Sequence, residues 1–289
     1  MEAFWTEAVA GYTGPPKDPA TAAAIAESLG RAADAQVYAE SVTAEGGGIL
    51  ALARRGQDKR LLLAWPKEAA GGLRVTFALG GERRRATLPP GPVDLVDGRA
   101  DAANAETLRR ILDWTAPRLV AGRPSVGLGD RLGLATPGHV RAVRGTGYVP
   151  MLAQQSIREM TRTGRSPQTV LNDATWGVFQ TGWRTGFGAD ADHLKTAADI
   201  DRCAAAGFTF YTIDPGDHVD HTADSADAAT LAGAFEALPW AALESTSADA
   251  RRTFLARRVT LESGTALVLD ETALHRHIGR HLEAFMRAG

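Results

Sequence analysis

The chain has one cysteine, Cys203, in 289 residues, so no internal disulfide can staple it and its stability must come from a buried apolar core. It has no excess of either charge: 32 Lys and Arg stand against 34 Asp and Glu, a formal net charge of −2. No global field therefore draws it to nucleic acid or to an anionic membrane. Apolar runs never approach the roughly 18 residues that a membrane helix needs; Leu61-Leu62-Leu63-Ala64-Trp65 is cut off by Pro66 and Lys67. Met1 to Ala10 is acidic and aromatic where a secretory signal carries a basic and then an apolar run, so the expectation is a cytoplasmic protein. Gly145-Thr146-Gly147 lacks the third glycine and the preceding strand of a dinucleotide fingerprint, and no Gly-Lys-Ser/Thr phosphate loop occurs. Cys203 has no His close to it in the chain, which removes thiol chemistry.

What is present is ordinary globular usage, 44% hydrophobic and 23% charged residues, at a length suited to one large domain or two ordinary ones. Residues 1–122 read as an α+β scaffold. Ala23, Ala24, Ile25, Leu29 and Ala32 fall at helical spacing within Pro19 to Gln36. Ile49 to Ala53, Leu61 to Trp65 and Leu73 to Leu79 are short runs punctuated by Gly, Asp and Pro, as in a meander. Arg83-Arg84-Arg85 reads as a solvated strand or turn. Asn104 to Leu119 predicts a helix with Asn104 as its N-cap.

From 123 to 289 the pattern changes to short apolar runs with polar ends, each followed by an amphipathic helix. This is the rhythm of a parallel sheet in β/α units, and it predicts a partial (β/α) TIM-like barrel. Ser125 to Gly129 runs into Asp130, Tyr148 to Ala153 into Gln154-Gln155-Ser156, Phe208 to Ile213 into Asp214, and Ala266 to Leu269 into Asp270-Glu271-Thr272. In such a fold the C-terminal strand ends converge on the active site, although Asp, Gln and Ser there also serve simply as caps and turns.

Gly188 to Lys195 places two carboxylates, an imidazole and an ammonium in one short loop, before a helix starting near Thr196. His193 could hold a divalent cation while Asp192 moves protons; equally, Asp190 and Asp192 could cap the following helix. His218 and His221, with Asp214, Asp217 and Asp220 near, offer a second ligand set or a hydrated loop. His277 and His281 beside Arg276 and Arg280 read as a solvent-facing basic helix end. Glu271 is a second proton carrier at a strand end. Arg158 and Lys195 are anchors for a substrate carboxylate, and Gln155 is a further substrate contact; Arg162 and Arg165 read as solvated.

At Gly127 to His139, Ala153 to Thr163, Gly188 to Lys195, Phe208 to Val219 and Asp270-Glu271-Thr272, the sequence resembles the tagaturonate epimerase family. The resemblance implies a barrel-like fold, a divalent metal and a keto-uronate substrate, tagaturonate or fructuronate, which differ at carbon 4. It also implies Asp192 as proton acceptor, His193 as one metal ligand and Glu271 as proton donor. Family members continue through further barrel strands carrying more histidine ligands. About five of eight strands fit the roughly 165 residues after Pro124, so the expectation is a shortened barrel, with a fragment or a complementing chain or oligomer as its explanations. Metal-assisted retro-aldol cleavage and re-addition is the expected chemistry. The alternatives are a non-catalytic uronate-binding remnant and a metal-dependent keto-sugar aldolase or isomerase.

Overall fold

The computed structural model describes residues 1–66, 82–89, 91–120, 122–255 and 257–288 of the chain; the expected strand Leu73 to Leu79 lies outside them. The chain divides into two compact units, Met1–Asp192 with Asp201–Tyr211, and His193–Ile200 with Thr212–Gly289. The expected boundary after residue 122 falls within the first.

The first unit opens with α1 (Glu2–Val9) and α2 (Pro19–Ala33). The Asp18 carboxylate accepts from the Thr21 N–H at 2.8 Å, and Pro19 supplies a preset φ at the first helical position. Strands β1 (Gln36–Val37), β2 (Thr43–Glu45), β3 (Gly48–Arg55), β4 (Asp58–Pro66), β5 (Glu82–Leu88) and β6 (Gly91–Arg99) follow. They form an antiparallel sheet of order β1-β3-β4-β6-β5, with β2 also on β3. Trp5, Ile25, Leu29, Ile49, Ala51 and Leu62 share one apolar core. Leu50, Leu52, Leu61 and Leu63 are equally buried, so β3 and β4 are covered on both faces. That is why their apolar runs are continuous instead of alternating. The triple arginine does run as strand, within β5.

The expected helix from Asn104 to Leu119 is shorter and starts earlier. It is α3 (Ala102–Ile111), and its N-cap is Asp101, whose carboxylate accepts from the Asn104 N–H at 3.0 Å. Asn104 is buried and donates its side-chain amide to the Arg99 carbonyl at 2.7 Å, while Leu119 is exposed. The helix ends where a 3-10 turn, Asp113–Thr115, takes over.

The β/α rhythm predicted for the second half is present as β7 (Ser125–Gly129), α4 (Thr136–Val143), β8 (Val149–Ser156), α5 (Ile157–Thr163), α6 (Pro167–Gln180), β9 (Asp190–Leu194), α7 (Ala197–Ala206) and β10 (Phe210–Ile213). Their sheet has the order β10-β9-β8-β7. β7 and β8 pair parallel, as do β8 and β9. On β9 and β10 the bonded residues advance together, Phe210 N–H to the Ala189 carbonyl and Asp214 N–H to the Leu194 carbonyl, which is again parallel pairing. The sheet is open, and no closed barrel occurs among the described residues.

The second unit holds α8 (Ala228–Glu236), α9 (Ser247–Phe254), β11 (Arg258–Thr260), β12 (Ala266–Val268) and α10 (Glu271–Ala288). Phe235, Leu238, Ala250 and Leu274 form its core. The run Ala266 to Leu269, expected as another strand of the parallel sheet, instead makes β12, paired antiparallel with β11 in a separate two-stranded ribbon. Among the described residues no helix is long and apolar enough to cross a membrane.

Candidate active site

The polar ends of the parallel strands lie where ligands bind in open α/β sheets, at the C-terminal edge. The segment expected as a loop before α7 is strand β9 through Leu194. Asp190 and Asp192 therefore do not cap the next helix; Thr196 does, its hydroxyl accepting from the Asp199 N–H at 3.2 Å. Two residues apart on a strand, Asp190 and Asp192 project from one face. In register beside them, Gln155 pairs with Ala191 and Ser156 with Asp192, so Gln154 stands next to Asp190 on that same face. The Gln154 amide Nε2 donates to the buried Asp190 carboxylate at 2.9 Å. Asp192, one pleat step further toward the C-terminal edge, is half-buried.

Gln155 points the other way. It is 1% exposed, and its carbonyl accepts from Arg165. Arg165 is not solvated as expected: it also donates to the Asp130 carbonyl at 2.7 Å and to the Asp173 carboxylate at 2.6 Å. The sequence gives no sign of this because Arg165, Asp130 and Asp173 meet only through the fold. Burial raises the Asp173 pKa, opposed by Arg165, and burial lowers that of half-buried Lys59, opposed by Asp173 and Asp130. Arg158 and Arg162 are exposed on α5. That helix starts at a capping box between Ser156 and Glu159, as the sequence Ser-Ile-Arg-Glu prescribes.

Asp130, at the end of β7, has a different task. Its carboxylate accepts from the backbone N–H groups of Leu132, Gly133, Leu134 and Ala135 at 2.7–3.2 Å. Burial opposes its ionisation, but these four donors win and hold the carboxyl below the usual range. Gly133, at φ +74°, is required in that loop, since a Cβ there would stand 2.3 Å from the Asp173 carboxylate.

In the second unit His193 is exposed and has φ +55°. Its left-handed backbone, uncommon for a residue with a Cβ, breaks the strand's alternation at this position. Lys195 faces two carboxylates, with Nζ 2.6 Å from Asp217 and 3.9 Å from Asp214. Glu271, the first residue of α10, is exposed and lies 3.4 Å from the Arg251 guanidinium. Arg251 also pairs with Glu236 at 2.6 Å and stacks 4.8 Å over Phe235. His277 and His281 are exposed on α10, as expected of a solvent-facing helix end. The side chain of His218 lies outside the described residues. No group of three His, Cys, Asp or Glu side chains converges among the described residues. His193 is thus a single candidate ligand, and these residues do not by themselves form a metal site.

A family model for tagaturonate epimerase matches residues 38–286. The chain belongs to the tagaturonate epimerase family. Within that family, a tagaturonate/fructuronate epimerase of Thermotoga maritima is 54% identical over 116 residues, 40% of this chain and 24% of the relative. Two solved structures of the fructuronate-tagaturonate epimerase of Cohnella laeviribosi also match. The one complexed with one glycerol has a TM-score of 0.73 at 31% identity, and the native form 0.72 at 32%. Each comparison covers 92% of this chain and 50% of the solved one, so the chain spans about half the length of these epimerases. The sequence motifs point to Asp192 and include Gln154 and Asp190 without assigning them a role beyond strand end or cap. The period-two spacing of Asp190 and Asp192, and the chemistry of an amide beside a buried carboxylate, were the signals for them.

Proposed function

We propose that this chain acts on keto-hexuronates as a carbon-4 epimerase interconverting D-tagaturonate and D-fructuronate. The observation that carries this reading is the family match over residues 38–286, and acidic groups at the C-terminal edge of the parallel sheet support it. In this reading the four parallel strands are an arc of a β/α barrel, which a longer chain or a second polypeptide would complete.

Carbon 4 lies two bonds from the ketone, so its hydrogen is not acidic enough for simple enolisation. The reading therefore uses bond cleavage. Asp192 takes the proton of the 4-hydroxyl, and the O–H electron pair becomes the new carbonyl of an aldehyde. The bond between carbons 3 and 4 breaks, its electrons passing to carbon 3 and into the adjacent ketone as an enolate. The aldehyde rotates and the enolate re-adds to its other face. Glu271 returns the proton to the new alkoxide, and Arg158 and Lys195 hold the carboxylate. A divalent cation, with His193 as one ligand, belongs to the reading as a Lewis acid, but no step is assigned to it because the described residues supply no full ligand set.

The test is to incubate the purified chain with tagaturonate in deuterated water, with and without chelator and added divalent cations, and to follow fructuronate by NMR. Inversion without deuterium at carbon 4 is the expected result; deuterium at that carbon overturns the cleavage step, and no turnover under any condition overturns the epimerase reading. The absence of three converging ligands among the described residues favours one second reading, a uronate-binding remnant. Sugar-acid binding without turnover would establish it.

A further inference from the structure

Resting on the sugar-acid reading above, we propose that Gln154 is a substrate-contacting residue whose amide carbonyl accepts a hydroxyl hydrogen from the polyol part of the ligand. Three observations carry this. First, Gln154 is half-buried on the face that also carries Asp190 and Asp192, one pleat step from the latter. Second, its orientation is set by a hydrogen bond. The amide Nε2 donates to the Asp190 carboxylate at 2.9 Å, which turns the amide carbonyl away from that bond. Its Oε1 is then the atom left to accept, and no donor among the described residues meets it. Third, the amide lies against bare backbone. A Cβ at Gly127 on β7 would stand 2.6 Å from both amide heteroatoms, so glycine alone leaves this side chain its place.

The class of ligand group follows from the neighbours. One face presents an amide carbonyl beside two carboxylates, and Ser156 is occupied there by the Glu159 N–H at 3.2 Å. An amide carbonyl can only accept, so the group that meets it must carry an O–H, and a substrate carboxylate, itself acceptor-only, cannot. The hydroxylated carbons of a sugar acid belong on this face, and its carboxylate belongs elsewhere.

The test compares the full chain with its Gln154→Met and Gly127→Ala forms, using calorimetric binding of D-tagaturonate and steady-state turnover. The first removes the amide at nearly constant volume; the second displaces it without removing a polar group. Both should bind about tenfold more weakly, the worth of one well-made hydrogen bond, with KM rising and kcat changing by less than about threefold. Among tagaturonate analogues each lacking one hydroxyl, one should lose about tenfold on the wild type and nothing further on Gln154→Met. A purely structural role would not produce that cancellation. Wild-type affinity in a Gln154→Met protein with unchanged circular dichroism overturns the assignment while leaving the epimerase reading intact. If that variant loses its fold, wild-type affinity in Gly127→Ala does the same. A wild-type chain that neither binds nor turns over the sugar acid overturns both.

Discussion

The two sheets of the first unit differ in what they bury. The antiparallel sheet puts Ile49, Leu50, Leu52, Leu61 and Leu62 out of water on both faces, and its main buried polar group, Asp97, is neutralised at once by Arg55 and Arg60, each at 2.6 Å. The parallel sheet buries Asp130, Gln155, Ser156 and Asp190 at its C-terminal edge. Each of these costs free energy to bury and is offset by at least one specific partner, although the Gln155 Nε2 meets none. One sheet is built for stability alone, and the other spends part of its stability on holding polar atoms in fixed places.

That contrast can be broken from either side. The largest effect should come from Asp192→Asn, which removes the proposed base from the polar sheet and should lower kcat by about 10²- to 10⁴-fold with little change in thermal stability; stopped-assay kinetics read this directly. Leu62→Ala in the apolar sheet should do the reverse, costing about 2–5 kcal/mol in urea unfolding while leaving substrate affinity of the folded fraction unchanged. Arg165→Met should fall between them in kind. It strips partners from the buried Gln155 carbonyl and from Asp173, which is one-third exposed, so about 2 kcal/mol of stability is expected from denaturant titration. Asp130→Asn should cost stability at neutral pH, where the ionised carboxylate meets its four backbone donors, and that cost should shrink in acid. A carboxyl held below its ordinary value of 3.8 contributes stability that is intact above that pH and is lost as pH falls through the lower folded value. The variant should therefore flatten the acid limb of stability below about pH 4, a change that acid titration followed by circular dichroism would register.

Much of this division is legible in the chain itself. Continuous apolar runs at Ile49 to Ala53 and Leu61 to Ala64 foretell strands, and polar residues closing Ser125 to Gly129 and Val149 to Ser156 foretell the polar C-terminal ends of two parallel strands. Local chemistry failed where partners decide. Asn104 looks like a cap, but Asp101 three residues earlier is better placed because β6 ends at Arg99 and turns there. Ala266 to Leu269 has the composition of a sheet strand, yet its pairing with Arg258–Thr260 makes it a surface ribbon. Gln154 and Gln155 are indistinguishable in composition; only the register against β9 shows which one looks toward Asp192. Arg165 resembles its exposed neighbour Arg162 until Asp130 and Asp173 are brought to it by helices folding back on the sheet.

The loop wound around Asp130 has a consequence for ligand choice. Converging backbone amides at the tip of a strand are an attractive seat for a phosphoryl group. Here a side chain of the protein's own already sits in that seat, with all four N–H groups turned inward upon it. The expected consequence is that Asp130→Gly, which empties that seat, binds inorganic phosphate measurably more tightly than the wild type.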